Sequence, residues 1–222
     1  KMLAQVANQY ADMRLADMTG DTDAERLFTT DEVVPGMFTR QAWDETVQVA
    51  IDKVVKERRE EMDWVLSDSQ QRTPQQVSPE ALKQRLTARY FADYSGAWLD
   101  FLNSLRLRKA ATLSDAIDQL TLMADVRQSP LVALMNTLNV QGRAGETGEA
   151  IADSLVKSAK NLLGSEKRPA IDQSGGIHGP LDATFGPVLA LMVSRDGGTQ
   201  TSNLNLQTFL TRVTQVRLRL QQ

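Results

Sequence analysis

The stretch Ser78–Leu107, SPEALKQRLTARYFADYSGAWLDFLNSLRL, decides the fold class of this chain. Ser78 followed by Pro79 is typical of a helix start, because a Ser side chain caps free N–H groups and Pro lacks one. A step of four residues overshoots a helical turn by about 40°, so a stripe with that spacing winds around a helix. We therefore predict a central helix that packs against more than one neighbour. Its stripe of apolar and aromatic residues consists of Leu82, Leu86, Tyr90, Tyr94 and Trp98.

The aromatic part of this stripe, Tyr90, Tyr94 and Trp98, forms what we call the aromatic ridge. Tyr and Trp combine a large apolar surface with one polar atom, which suits a protein core and also a partner-facing groove. We predict that the ridge is buried in the core, with an open groove as the alternative.

Helical spacing also dominates the sequence upstream of the ridge, with one interruption. Pro fixes φ and Gly tolerates unusual backbone angles, so Pro35 and Gly36 predict a turn there. The predicted elements are a helix over 2–18, an extended piece over 33–38, a helix capped by Thr39 that runs to about Leu66, and a polar linker over 67–77.

Shorter helices follow the ridge, and one segment rich in Gly and Pro separates them. Ser129 and Pro130 repeat the helix-start signal of Ser78 and Pro79. The sequence predicts a mainly α fold, an irregular multi-helix bundle with a long central helix and little or no sheet. The predicted helices after the ridge lie near 113–126, from 130 to at least 138, 149–163, 185–192 and 206–220. The predicted organisation is a main helical domain over 1–164, a Gly/Pro-rich loop over 165–184 and a C-terminal helical segment over 185–222.

Composition places the chain among ordinary globular proteins. The 222 residues are 41% apolar and 24% charged, with a formal net charge of −3. A chain with this charge creates no field that draws in nucleic acid or an anionic membrane. It contains no cysteine, and no stretch approaches the roughly 20 apolar residues that span a bilayer. Since the helical pattern reaches both ends, we expect the sequence to be a segment of a longer protein.

Few residues carry a pattern of reactive chemistry. His178 is the only histidine, and no spacing supplies the convergent groups that a metal or catalytic site needs. The glycines at 142, 145 and 148 are not followed by the Gly-Lys-Ser/Thr of a phosphate loop. We therefore predict no catalytic residue, no cofactor and no metal. We predict that a hinge or contact loop is formed by Gly175, Gly176, His178 and Gly179.

A series of short motifs in this chain resembles the IcmF/TssM family of type VI secretion membrane-complex proteins. Each motif is weak alone, but their order and gaps follow that family over most of the chain. The positions that carry the resemblance are the turn Val34, Pro35, Gly36, Phe38 and Thr39, then Trp64, Tyr90, Tyr94, Trp98, Ser129 and Pro130, and finally Phe185, Gly186 and Pro187.

The resemblance implies a structural segment of the periplasmic part of an inner-membrane protein. Such a protein bridges the inner membrane and an outer-membrane lipoprotein, TssJ, and associates with a second inner-membrane protein, TssL, and with copies of itself. Its membrane spans and cytoplasmic domain would precede Lys1, and its β-rich, lipoprotein-binding part would follow Gln222. No nucleic acid and no membrane span is expected within this segment.

Two other classes of protein remain as alternatives. A periplasmic hydrolase would need a cleft with two carboxylates, at least one of them with a raised pKa. A cytosolic helical adaptor would present a groove for a peptide helix.

Overall fold

The protein is mainly α-helical in the computed structural model, which describes residues 6–68, 78–146, 179–192 and 205–222. The predicted fold class is confirmed. The helices are α1 Leu15–Thr19, α2 Ala24–Leu27, α3 Arg40–Ala42, α4 Gln48–Asp68, α5 Pro79–Ser104, α6 Leu113–Ala124, α7 Pro130–Gln141, α8 Asp182–Met192 and α9 Leu206–Leu220. A 3₁₀ turn covers Gly36–Phe38, and a π-helical segment covers Trp43–Val47 between α3 and α4.

The predicted first helix over 2–18 is wrong in its central part. The chain leaves the helix after residue 7, and Met13 instead forms an isolated antiparallel bridge with Val34. Two hydrogen bonds make this bridge, Met13 N to Val34 O at 2.8 Å and Val34 N to Met13 O at 2.9 Å. Pairing between distant segments therefore overrides the local helical spacing, and the helix resumes only at α1.

The helix after the turn begins as predicted, with Thr39 as its N-cap. The Thr39 hydroxyl accepts a hydrogen bond from Ala42 N at 3.3 Å and donates one to Gly36 O at 2.8 Å. Helical backbone then continues to Asp68, two residues beyond the predicted end. Of the predicted linker over 67–77, residues 69–77 lie outside the described part of the chain.

The central helix α5 starts at the predicted residue and ends three residues early. Ser78 Oγ accepts from Ala81 N at 3.2 Å, and Pro79 opens the helix. Leu105 adopts extended backbone angles, and Arg106–Leu107 then pairs with Phe28–Thr29 as a two-stranded antiparallel ladder. Within the described ranges this ladder and the Met13–Val34 bridge are all the β-structure there is.

The remaining helices pack around α5 and its neighbours. α4 lies against α5, α7 contacts both α1 and α8, and α9 lies along α6. Buried side chains from all of these helices belong to one hydrophobic cluster, so the described parts share a single core. α8 begins at Asp182, within the segment predicted as the end of the loop. The predicted helix over 149–163 and the loop residues Gly175, Gly176 and His178 lie outside the described residues.

None of the helices described here has the length and apolar character needed to cross a bilayer.

Candidate functional site: the aromatic ridge and the cleft beside it

The aromatic ridge faces the interior, which confirms the predicted burial. Tyr90 is 1% exposed, and Tyr94 and Trp98 are fully buried. Their rings follow one another along α5, with centroids 6.0 Å apart from Tyr90 to Tyr94 and 6.4 Å apart from Tyr94 to Trp98. Leu82 and Leu86, earlier in the same stripe, are only half-buried. The ridge is therefore a core element, and the open groove is excluded for it.

Two ridge residues hold the turn at 34–39 through its backbone. The Tyr90 hydroxyl donates to Met37 O at 2.7 Å, and the Trp98 indole N–H donates to Phe38 O at 2.9 Å. A buried carbonyl without a partner costs about 1–3 kcal/mol. The two hydrogen bonds avoid that cost and therefore stabilise the packing of the turn against the ridge. The Phe38 ring completes the contact, 5.8 Å from the Tyr90 ring.

The third ridge residue, Tyr94, connects α5 to the end of α7. Its hydroxyl donates to Gln141 O at 2.7 Å and lies 3.2 Å from Gln141 Oε1. That Oε1 also accepts from Arg40 N at 2.7 Å, so the start of α3, the ridge and the end of α7 meet at one buried amide. Sequence reasoning missed Gln141, since the only signal for it is a polar residue closing an apolar helix.

Burial raises the pKa of Tyr90 and Tyr94 far above the ordinary value for tyrosine. Loss of water around the ring is the main cause in both, and the negative charge of Asp44 raises the pKa further. Both hydroxyls therefore keep their protons at any physiological pH. They act as permanent hydrogen-bond donors to the carbonyls and not as acids.

Close backbone approach explains the glycine in the 34–39 turn. A Cβ on Gly36 would lie 2.3 Å from Ala11 O and 2.5 Å from Tyr10 O. The neighbouring Val34 is fully buried and bridges to Met13. The turn is therefore clamped between the N-terminal segment on one side and the ridge on the other.

The later motif residues meet the same core. Ser129 is the N-cap of α7, accepting from Val132 N at 3.3 Å, and both Ser129 and Pro130 are buried. The Phe185 ring lies 6.3 Å from Tyr94 and 5.9 Å from Trp98. Gly186 and Pro187 lie within α8, and of Trp64 only the backbone is described, within α4. Phe185 and the ridge, which are far apart in sequence, thus belong to one aromatic cluster.

A cleft of about 600 Å³ opens beside the ridge, between the Trp43–Val47 segment, α5 and the turn at 145–146. Trp43 and Phe91 line it, together with the carboxylates of Asp44 and Glu146. Burial raises the pKa of Glu146 above its ordinary value. Two carboxylates in one cleft, one with a raised pKa, are the feature expected of the hydrolase alternative. The ridge residues themselves do not line the cleft.

Metal binding by side-chain clusters receives no support from the described ranges. Within 6–68, 78–146, 179–192 and 205–222, no group of three or more His, Cys, Asp or Glu residues is placed to hold a metal ion.

Gly179, from the predicted contact loop, lies next to Glu146 and Asp182, and its N–H donates to Asp182 Oδ2 at 3.1 Å.

Comparisons with known proteins confirm the resemblance to the IcmF/TssM family. A family model described as "IcmF-related: Intracellular multiplication and human macrophage-killing" matches residues 1–143. A solved chain titled "Type VI secretion system membrane core complex" is 57% identical with a TM-score of 0.72, and one titled "Type VI membrane complex" is 55% identical with a TM-score of 0.58. Each alignment covers 99% of this chain and 35% of the solved chain, so this chain spans about a third of their length. No curated protein matches. Since the family model covers more than half of the sequence, the chain belongs to the IcmF-related family.

Proposed function

We propose that this chain is a structural segment of a type VI secretion membrane complex. In this proposal it lies in the periplasmic part of a TssM-like inner-membrane protein and helps that protein to bridge the two membranes. Its partners are a TssJ-like lipoprotein, a TssL-like inner-membrane protein and further copies of itself. Family membership and 55–57% identity to two type VI membrane-complex chains support the assignment.

The observation that carries the proposal is how the ridge binds separate segments together. Its three polar atoms donate to carbonyls in two different parts of the chain, at Met37, Phe38 and Gln141. Close-packed interiors deform little, so a body held in this way passes displacement from one end to the other. A subunit that joins two membranes has to transmit position and load, and this core is suited to that task.

A hydrolase is the second candidate, because Asp44 and Glu146 line one cleft. Asp44 is 54% exposed and lies 3.5 Å from Arg40 Nε, an ordinary surface ion pair. A hydrolase of the cell wall would release soluble fragments from purified peptidoglycan, and Glu146→Gln would abolish that release. The structural proposal predicts no release by either form of the chain.

Labelling of a single cysteine tests the periplasmic placement. The chain has no cysteine of its own, so Glu32→Cys, at an exposed position, introduces one into the full-length protein cleared of other cysteines. We expect a charged maleimide to label it in cells whose outer membrane is permeabilised and whose inner membrane is intact. Labelling is followed by the mass shift of the purified protein, with a cysteine-bearing cytosolic protein as the control.

Labelling that occurs only after the inner membrane is broken would contradict the placement. It would favour the cytosolic adaptor, since the two hypotheses put the same residue on opposite sides of that membrane.

Shortening the Gly/Pro-rich segment tests the proposed contact with a partner or another copy. We propose that the loop predicted over 165–184, of which 165–178 lie outside the described residues, carries this contact. Deleting part of it from the full-length protein should lower the yield of the assembled complex and leave the helical circular dichroism unchanged. A deletion that unfolds the domain, or one that leaves assembly intact, would count against the contact.

A further inference from the structure

The cleft beside the ridge contains a carboxylate oxygen without a partner among the described residues. The side chain of Glu146 is 5% exposed, and its Oε1 is buried and accepts no hydrogen bond from the residues that the structure describes. Its Oε2 lies 3.7 Å from Arg143 Nη1, which is beyond hydrogen-bond distance. A carboxylate withdrawn from water in this way is costly unless a donor reaches it.

The turn that contains Glu146 lies close to Trp43 and Phe91, the two aromatic residues that line the cleft. Gly145 has a φ of +79°, and a Cβ at this position would lie 2.4 Å from Phe91 Cζ. Only glycine fits both the backbone angle and the space. The ring of Phe91 lies 4.6 Å from that of Trp43, so the Glu146 carboxylate and two aromatic rings line the same cleft.

The charges around the cleft leave an excess of carboxylate. Arg40 faces Asp44 at 3.5 Å, and Lys83, which lines the cleft, is paired with Asp52. Arg143 is the cation nearest to Glu146. Asp182, whose charge also acts on Glu146, has no cation partner among the described residues and accepts from Gly179 N at 3.1 Å. A cationic ligand would therefore neutralise the surplus negative charge.

The lining of the cleft favours a guanidinium over other cations. Guanidinium is planar, more weakly hydrated than ammonium, stacks on aromatic rings and presents a fork of donors to a carboxylate. A divalent metal needs several oxygen ligands, which the described residues do not bring together. We propose that this cleft binds the arginine side chain of another protein segment, with the guanidinium paired to the Glu146 carboxylate and lying against Trp43.

The proposal does not depend on the membrane in which the protein works, so it can be tested on the 222-residue chain. The probe is N-acetyl-arginine amide, and its neutral isostere N-acetyl-citrulline amide is the reference. We expect saturable shifts of the Gly145 and Glu146 amide signals and of the Trp43 indole N–H signal in nuclear magnetic resonance spectra. Dissociation constants should be about tenfold weaker for citrulline and for the Glu146→Gln variant, since each removes one charged partner.

Two further variants keep the outcome clear. Glu32→Gln removes the same charge from an exposed site away from the cleft and should leave binding of the arginine probe unchanged. If Glu146→Gln fails to fold, the proposal is tested with Asp44→Asn, at the exposed edge of the cleft. This variant should weaken binding of the arginine probe a few-fold. Equal binding of citrulline, unchanged binding by folded Glu146→Gln, or shifts that never saturate would each overturn the proposal.

Discussion

Replacing Trp98 with alanine should lower the free energy of unfolding by about 4 kcal/mol, because it empties the centre of the core. Trp98 is fully buried, and its ring contacts those of Tyr94, Phe101 and Phe185. The substitution also removes the donor for Phe38 O, which would be left without its partner. Urea denaturation, monitored by circular dichroism, measures the loss in the free energy of unfolding.

Two variants of the same helix separate the contributions. Tyr94→Phe removes only the hydroxyl that donates to Gln141, so we expect a loss of about 1–2 kcal/mol. Leu99→Ala changes the neighbouring residue, which is 43% exposed, and should cost less than about 1 kcal/mol. A Trp98→Ala variant no less stable than Leu99→Ala would show that the ridge is not the centre of the core.

Replacing Gly36 with alanine should lower the free energy of unfolding by about 3 kcal/mol, since the added methyl group meets backbone that cannot move aside cheaply. The obstructing atoms are Ala11 O at 2.3 Å and Tyr10 O at 2.5 Å. Relief requires the turn to separate from the N-terminal segment, which strains the bridge between Met13 and Val34. Hydrogen exchange of the Val34 amide should accelerate in parallel.

Gly96→Ala is the matched control for this substitution. Gly96 lies inside α5, and a Cβ there would meet nothing within 4 Å. Alanine has the better helix propensity, so this variant should gain about 0.5–1 kcal/mol. If the two substitutions changed stability equally, the close approach at Gly36 would not be a constraint on the fold.

Local signals identified most of the helices because capping chemistry and apolar spacing act within a few residues. Ser78, Thr39 and Ser129 are N-caps in the structure, and each accepts the expected backbone hydrogen bond. The winding stripe on α5 predicted several packing neighbours, and its aromatic rings do contact residues from other elements, such as Phe38 and Phe185.

The errors arise where distant segments determine local structure. Nothing near Met13 in sequence announces its bridge to Val34, and the pairing of Arg106–Leu107 with Phe28–Thr29 ends α5 from outside the helix. Gln141 and Glu146 were missed for the same reason. Gln141 is bonded by the backbone N–H of Arg40 and the hydroxyl of Tyr94, and Glu146 shares a cleft with Trp43; only the folded chain brings these groups together.

Native-state hydrogen exchange tests most directly whether the ridge makes the described core one rigid body. The informative amides are Val34 in the turn, Arg40 at the start of α3, Gly142 after α7 and Tyr94 in the ridge itself. We predict that all four exchange only through global unfolding, with the free energy that urea denaturation gives. Exchange of Val34, Arg40 or Gly142 at a free energy several kcal/mol below that of Tyr94 would contradict the account, because the turn and α7 would then open while the ridge stays closed.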